Sequence, residues 1–90
     1  VAAFTVGTAA SVLLATGYNT KGNNILVQNL NAVANHIYVD TVTGVTTATG
    51  FQISAGAAVP DSQEFHIGKG ETLYARSVTG NADVRVVITN

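Results

Sequence analysis

The sequence predicts an all-β fold: a single small antiparallel β-sandwich or jelly-roll-like barrel of about eight short strands, with residues 1–90 forming one domain. Three observations carry this expectation. Val, Thr, Ile, Tyr and Phe fill the segments between turns, and β-branched and aromatic side chains favour a pleated, half-buried surface. Gly and Asn punctuate the chain at the spacing of about eight to twelve residues typical of sandwiches and barrels. The Ala-rich stretches that would otherwise start a helix (Ala2-Ala3, Ala9-Ala10 and Ala55-Gly56-Ala57-Ala58) are short and broken by Gly or Thr.

In chain order, the expected strands are 3–6, 11–16, 24–30, 36–41, 50–54, 64–67, 72–78 and 83–89. The last has the best alternation: Val84, Val86 and Ile88 share one face, and Asp83, Arg85 and Val87 the other. In the fourth, Ile37 and Val39 oppose His36, Tyr38 and Asp40. Phe51 and Ile53 bracket Gln52, and Phe65 and Ile67 bracket His66. The run Ile25-Leu26-Val27 is apolar on both faces, which reads as a central strand or one covered by a partner. Turns are expected around 16–19, 31–35, 43–44, 55–56, 68–70 and 79–81. Pro60, in Val59-Pro60-Asp61-Ser62, marks a bend or a strand edge. One internal echo stands out: residues 37–44 and 73–80 share Tyr, Val, Thr and Gly at four of eight positions. Shared hairpin chemistry accounts for this better than a repeat architecture does.

Composition excludes several functions. Hydrophobic residues make up 47% of the chain and charged ones 10%, against roughly 25% charged in ordinary domains. The four cations, Lys21, Lys69, Arg76 and Arg85, are too few for a nucleic-acid surface. With no Cys there is no disulfide scaffold, zinc knuckle or thiol chemistry. No apolar run approaches the roughly 20 residues a membrane helix needs, and no basic segment precedes an apolar one, so no signal peptide is expected. The start at Val1 fits removal of an initiator Met and equally a trimmed precursor. The few charges leave a surface of Thr, Asn, Ser, Gln and Ala that resists close contact little, which suits a subunit living among neighbours.

No catalytic, cofactor or metal site emerges. Asp61 and Ser62 read as turn formers beside Pro60, and no Gly-x-Ser-x-Gly elbow exposes a serine for a triad with His36 or His66. His36, Asp40, Glu64 and His66 would need two strands in a chosen register to meet. His36 and Asp40 alone lie about 13 Å apart along one strand face. Gly68-Lys69-Gly70-Glu71-Thr72 lacks the phosphate-loop order and precedes a strand, so it reads as a turn. No Asn-x-Ser/Thr acceptor is present. Asp83 and Arg85, with Arg76 on the preceding strand, suggest a cross-strand or intersubunit ion pair. Tyr18, Tyr38 and Tyr74 could form a sugar-stacking surface.

The blocks from Asn24 to Val87 resemble small β-structured proteins of tailed-phage virions, in particular capsid decoration (cement) proteins and head-fibre or spike bases. These blocks are Ile25-Leu26-Val27-Gln28-Asn29-Leu30-Asn31, His36-Ile37-Tyr38-Val39, Val45-Thr46-Thr47-Ala48-Thr49-Gly50-Phe51-Gln52-Ile53-Ser54-Ala55-Gly56, Gly70-Glu71-Thr72-Leu73-Tyr74-Ala75 and Ala82-Asp83-Val84-Arg85-Val86. The resemblance covers about two-thirds of the chain, and the order of the blocks carries it. It implies a structural, non-enzymatic protein on the capsid surface of the virion, without cofactor. Its partners would be the major capsid protein and further copies of itself as a homotrimer. The residues expected at those contacts are Phe4, Val6, Tyr38, Tyr74 and Val87. The alternative is a carbohydrate- or host-surface-binding module of a fibre, spike or tail.

Overall fold

The structure is a computed structural model that describes residues 2–30, 35–42, 44–46, 49–54 and 61–89. Eight strands run in chain order: β1 (Ala2–Val6), β2 (Val12–Thr16), β3 (Asn23–Asn29), β4 (Ile37–Asp40), β5 (Phe51–Ile53), β6 (Asp61–Ile67), β7 (Thr72–Ser77) and β8 (Ala82–Thr89). Seven of them begin and end within one residue of the expected bounds, because alternation and Gly/Asn turns mark both ends. β6 is the exception. It starts at Asp61, three residues earlier than expected, and takes in Asp61 and Ser62, which read as turn formers. Their backbones pair in register with Asn29 and Gln28. β6 is an edge strand, and Pro60, expected at a bend or strand edge, lies outside the described residues.

All pairing is antiparallel and follows one rule. β1 pairs β8, β2 pairs β7, β3 pairs β6 and β4 pairs β5, so the chain is a long hairpin folded onto itself. The additional pairs β3–β8 and β4–β7 roll that hairpin into two sheets. Sheet A has the order β1-β8-β3-β6 and sheet B the order β2-β7-β4-β5, a jelly-roll sandwich. The echo between residues 37–44 and 73–80 aligns Val39 with Ala75, and these two lie opposite each other in the β4–β7 ladder.

Alternation puts one row of each strand inside. Sheet A contributes Val6, Ile25, Val27, Ile67, Ala82, Val84 and Val86, and sheet B contributes Leu14, Ala15, Ile37, Val39, Ile53, Leu73 and Ala75, all buried. Each fully buried Val, Leu or Ile contributes about 1.5–3 kcal/mol relative to exposure. A β-bulge between Leu13 and Ala15 lets the consecutive pair Leu14 and Ala15 both face inward. Where the sheets part at the β5 and β6 edges, Phe51 and Phe65 meet edge-to-face with centroids 5.5 Å apart, bridging the two layers.

Each end of β3 carries an inward asparagine that is fully buried. At the first end, Asn23 Oδ1 accepts the Tyr18 and Asn19 N–H groups at 2.9 and 3.0 Å, and its Nδ2 donates to the Thr89 carbonyl at 3.3 Å. The 17–22 and 68–71 loops interlock beside it: Gly17 N–H donates to the Glu71 carbonyl and Gly70 N–H to the Gly17 carbonyl. At the other end, Asn29 Nδ2 donates to the Asn35 and Ile53 carbonyls at 2.8 and 3.2 Å. Asn35 in turn accepts the Thr79 N–H at 3.1 Å and donates to the Asn81 carbonyl at 3.3 Å. The Ser77 hydroxyl lies 3.1 Å from Asn35 Oδ1 and 2.6 Å from the Gly80 carbonyl oxygen, so its single hydrogen serves one of them at a time. These amides supply the bonds that loop backbone groups need when the sandwich ends close over them.

Candidate functional site: two sheet faces and a cleft

The strand registers fix what each sheet shows outward. On sheet A, Ala3, Arg85, Gln28 and Ser62 form one row, Val87, Leu26 and Glu64 the next, and Thr89, Asn24 and His66 a third. Leu26 remains 39% exposed although β3 lies between two neighbours, and Val87 is half-buried beside it. Glu64 lies in the same row as that aliphatic pair, with Arg85 and His66 in the rows on either side. His66 Nδ1 and Asn24 Oδ1 are hydrogen-bonded at 2.9 Å.

Sheet B shows a different surface. Leu13, Tyr74 and Asp40 form one row, and Arg76, Tyr38 and Gln52 the next. Leu13 is 45% exposed, and Val42 and Val78, which follow β4 and β7, are exposed as well. The Tyr38 hydroxyl donates to Gln52 Oε1 at 2.9 Å, and Gln52 Nε2 donates to Ser54 Oγ at 2.9 Å. Asp40 Oδ1 accepts the Thr41 N–H at 2.7 Å. Arg76 reaches over the sheet end, where its Nε donates to the Thr8 carbonyl at 2.8 Å.

Thr8, Tyr38, Thr46, Arg76, Ser77 and Val78 line a cleft of about 270 Å³ at this end of sheet B. Its wall at Thr46 is held by a turn in which the Thr49 and Gly50 N–H groups both donate to the Thr46 carbonyl, and the Thr46 and Thr49 hydroxyls are 3.0 Å apart. Gly50 is required there: a Cβ would approach Tyr38 Cβ to 2.7 Å and Val45 Cγ2 to 2.6 Å. A second hollow of about 320 Å³ lies at the β5–β6 edge, lined by Phe51–Ile53, Ser54, Ser62 and Gln63.

Of the expected contact residues, Tyr38 and Tyr74 come together on the outer face of sheet B, on adjacent strands, and Val87 lies on the outer face of sheet A. Phe4 and Val6 belong elsewhere. Both face the sandwich interior, Val6 with no exposed surface and Phe4 half-buried against the core, because their register partners Val84 and Ala82 are inward residues of β8. Tyr18 is in the 17–22 loop, apart from the other two tyrosines. The strands that carry Arg76 and Asp83 are not neighbours in a sheet, so the expected cross-strand arrangement of these two does not form. β7 and β8 follow one another in the chain but lie in different sheets, with these side chains on opposite outer faces.

The chemistry-bearing residues are similarly divided. His36 and Asp40 belong to sheet B, Glu64 and His66 to sheet A, and among the described residues no group of three or more His, Cys, Asp or Glu could hold a metal ion. His36 Nδ1 is buried without a hydrogen-bond partner among the described residues. Residues 68–71 form a turn, with Glu71 N–H donating to the Gly68 carbonyl and Glu71 Oε1 accepting the Gly68 N–H. The sequence reading missed the buried asparagines and the cleft. Parity was the available signal for the first, since Asn23 and Asn29 fall on the same side of β3 as Ile25 and Val27. Nothing local could reveal the cleft, whose lining comes from four separate parts of the chain. Comparison with protein-family models, with curated proteins and with solved structures finds no match in any of the three.

Proposed function

We propose that the chain is a structural virion protein, a capsid decoration or cement protein that binds the outer surface of a phage head as a homo-oligomer, with three copies the expected number, and stabilises the shell. The observation that carries this reading is that both sheets keep apolar side chains on their outer faces: Leu26 and Val87 on the central strands of one, Tyr38 and Tyr74 on the central strands of the other with Leu13 on its edge strand. On a slab with extents of 37 × 26 × 18 Å, this leaves two opposite surfaces for contact. Only nine Lys, Arg, Asp and Glu residues oppose such contact. One face would pack against sibling copies and the other against the major capsid protein, burying apolar area at about 25 cal/mol per Å² before the entropy of association is subtracted. Engagement of several copies at once would add avidity. Such a protein works by contact and catalyses nothing. The jelly roll is compatible with this role without specifying it, since the fold also serves lectins and enzymes.

The test adds the purified chain to shells that lack it and measures their thermal disruption, with sedimentation of the free protein reporting its assembly state. The expected result is a trimer at micromolar concentration and a higher disruption temperature. Leu26→Lys or Tyr74→Lys should abolish one of the two effects while leaving the monomer folded. A monomer that leaves shell stability unchanged would end the proposal.

A further inference from the structure

We propose that the cleft at the end of sheet B is a binding site for a carboxylate-bearing pyranose, the acidic sugar unit of a glycan. This goes beyond a decoration role and does not depend on it: the site belongs to the free chain, whose Tyr38 is not packed against a partner. Arg76 carries the argument. Its Nε is fixed on the Thr8 carbonyl at 2.8 Å, and no other hydrogen bond to its guanidinium is made by the described residues. The two terminal nitrogens are left in a cleft with their direction set. The carboxylate nearest in register, Asp40, sits on the diagonal position of the β4–β7 ladder with one oxygen on the Thr41 N–H. A planar fork held in this way matches the paired oxygens of an oxyanion such as a carboxylate better than it matches a neutral group.

The rest of the lining identifies what carries the carboxylate. The Tyr38 ring is anchored at its hydroxyl by Gln52, which presents an amphipathic aromatic body to the C–H face of a sugar ring. Thr8 places a hydroxyl-bearing side chain beside it, and Thr46 and Val78 supply further wall. At about 270 Å³ the cleft lies just below the usual range for small-molecule pockets, roughly 300–1,000 Å³, which is room for one ring. A protein carboxylate would satisfy the fork but would leave the tyrosine wall unused.

The experiment is an amide-resolved NMR titration of the unmodified chain with glucuronate, glucuronamide, glucose and acetate. Glucuronate should saturate shifts at Thr8, Tyr38, Arg76 and Val78. Glucuronamide, the same ring without the charge, and acetate, the charge without the ring, should both bind at least about tenfold more weakly. Arg76→Gln should weaken glucuronate by about ten- to a hundredfold, the loss expected for a charge-assisted bond, and Arg76→Lys should recover only part of it. Absence of saturable shifts at the cleft overturns the proposal, as does equal binding of glucuronamide. Equal binding of acetate would overturn the sugar assignment and leave a bare carboxylate site, the outcome expected for a protein partner. Because the ligand comparison uses the unmodified chain, it stands even if an Arg76 variant fails to fold.

Discussion

The two ends of the sandwich solve one problem in different ways. Both must close loops over buried backbone, and both use an asparagine at an end of β3. At the Asn23 end the seal is mainly backbone on backbone: the 17–22 and 68–71 loops exchange main-chain bonds, and Gly17 lies so close to Gly68 that a Cβ would overlap the Gly68 carbonyl oxygen. At the Asn29 end main-chain bonds from the Ser77 N–H to the Gly7 carbonyl and from the Val78 N–H to the His36 carbonyl are joined by side-chain links: Asn29 Nδ2 donates to the Asn35 carbonyl, and Asn35 Oδ1 faces the Ser77 hydroxyl, which adjoins the cleft. The loop contact at the first end leaves no space for added atoms, whereas the second end borders an open cleft. The difference places the capacity to bind a small ligand at one end of the molecule.

Four substitutions separate the two designs. Gly17→Val should cost the most, about 3 kcal/mol in urea unfolding, because the obstacle it meets is backbone that cannot rotate away. Asn29→Ala removes the donor to two interior carbonyls and should cost about 2–3 kcal/mol by the same measurement. Asn23→Ala should cost about 2 kcal/mol, and in hydrogen exchange it should lose protection at the Tyr18 and Asn19 amides while those of Ser77 and Thr79 hold. Ser77→Ala should cost least, about 1 kcal/mol, since Asn35 Oδ1 keeps the Thr79 N–H. If Asn29→Ala proved harmless while Ser77→Ala proved severe, the side-chain links would not rank in the order described.

Strand positions were readable from the residues because alternation and turn chemistry are local. Val84 and Val86 opposite Asp83 and Arg85 give both the strand and its facing, and Ile25-Leu26-Val27 gives a central strand with an outward leucine. In β1 the alternation is too short to give the facing: Ala3 and Thr5 are the outward pair, Val6 is a core residue and Phe4 packs half-buried against the core. Asparagine was weighed as a turn and surface residue, yet Asn23, Asn29 and Asn35 are interior, because a short sandwich must hydrogen-bond its own ends. The cleft and the separation of Arg76 from Asp83 depend on which strands become neighbours. That is set by the rolling of the hairpin, a property of the whole chain which no window of residues contains.

The pairing of β1 with β8 bears on how quickly the molecule folds. β8 occupies the slot between β1 and β3, so until it docks β1 has no neighbour in sheet A and one side of the core stays uncovered. That closing step brings together residues as far apart as Ala2 and Val86, so folding is expected to be slow for a polypeptide of this size.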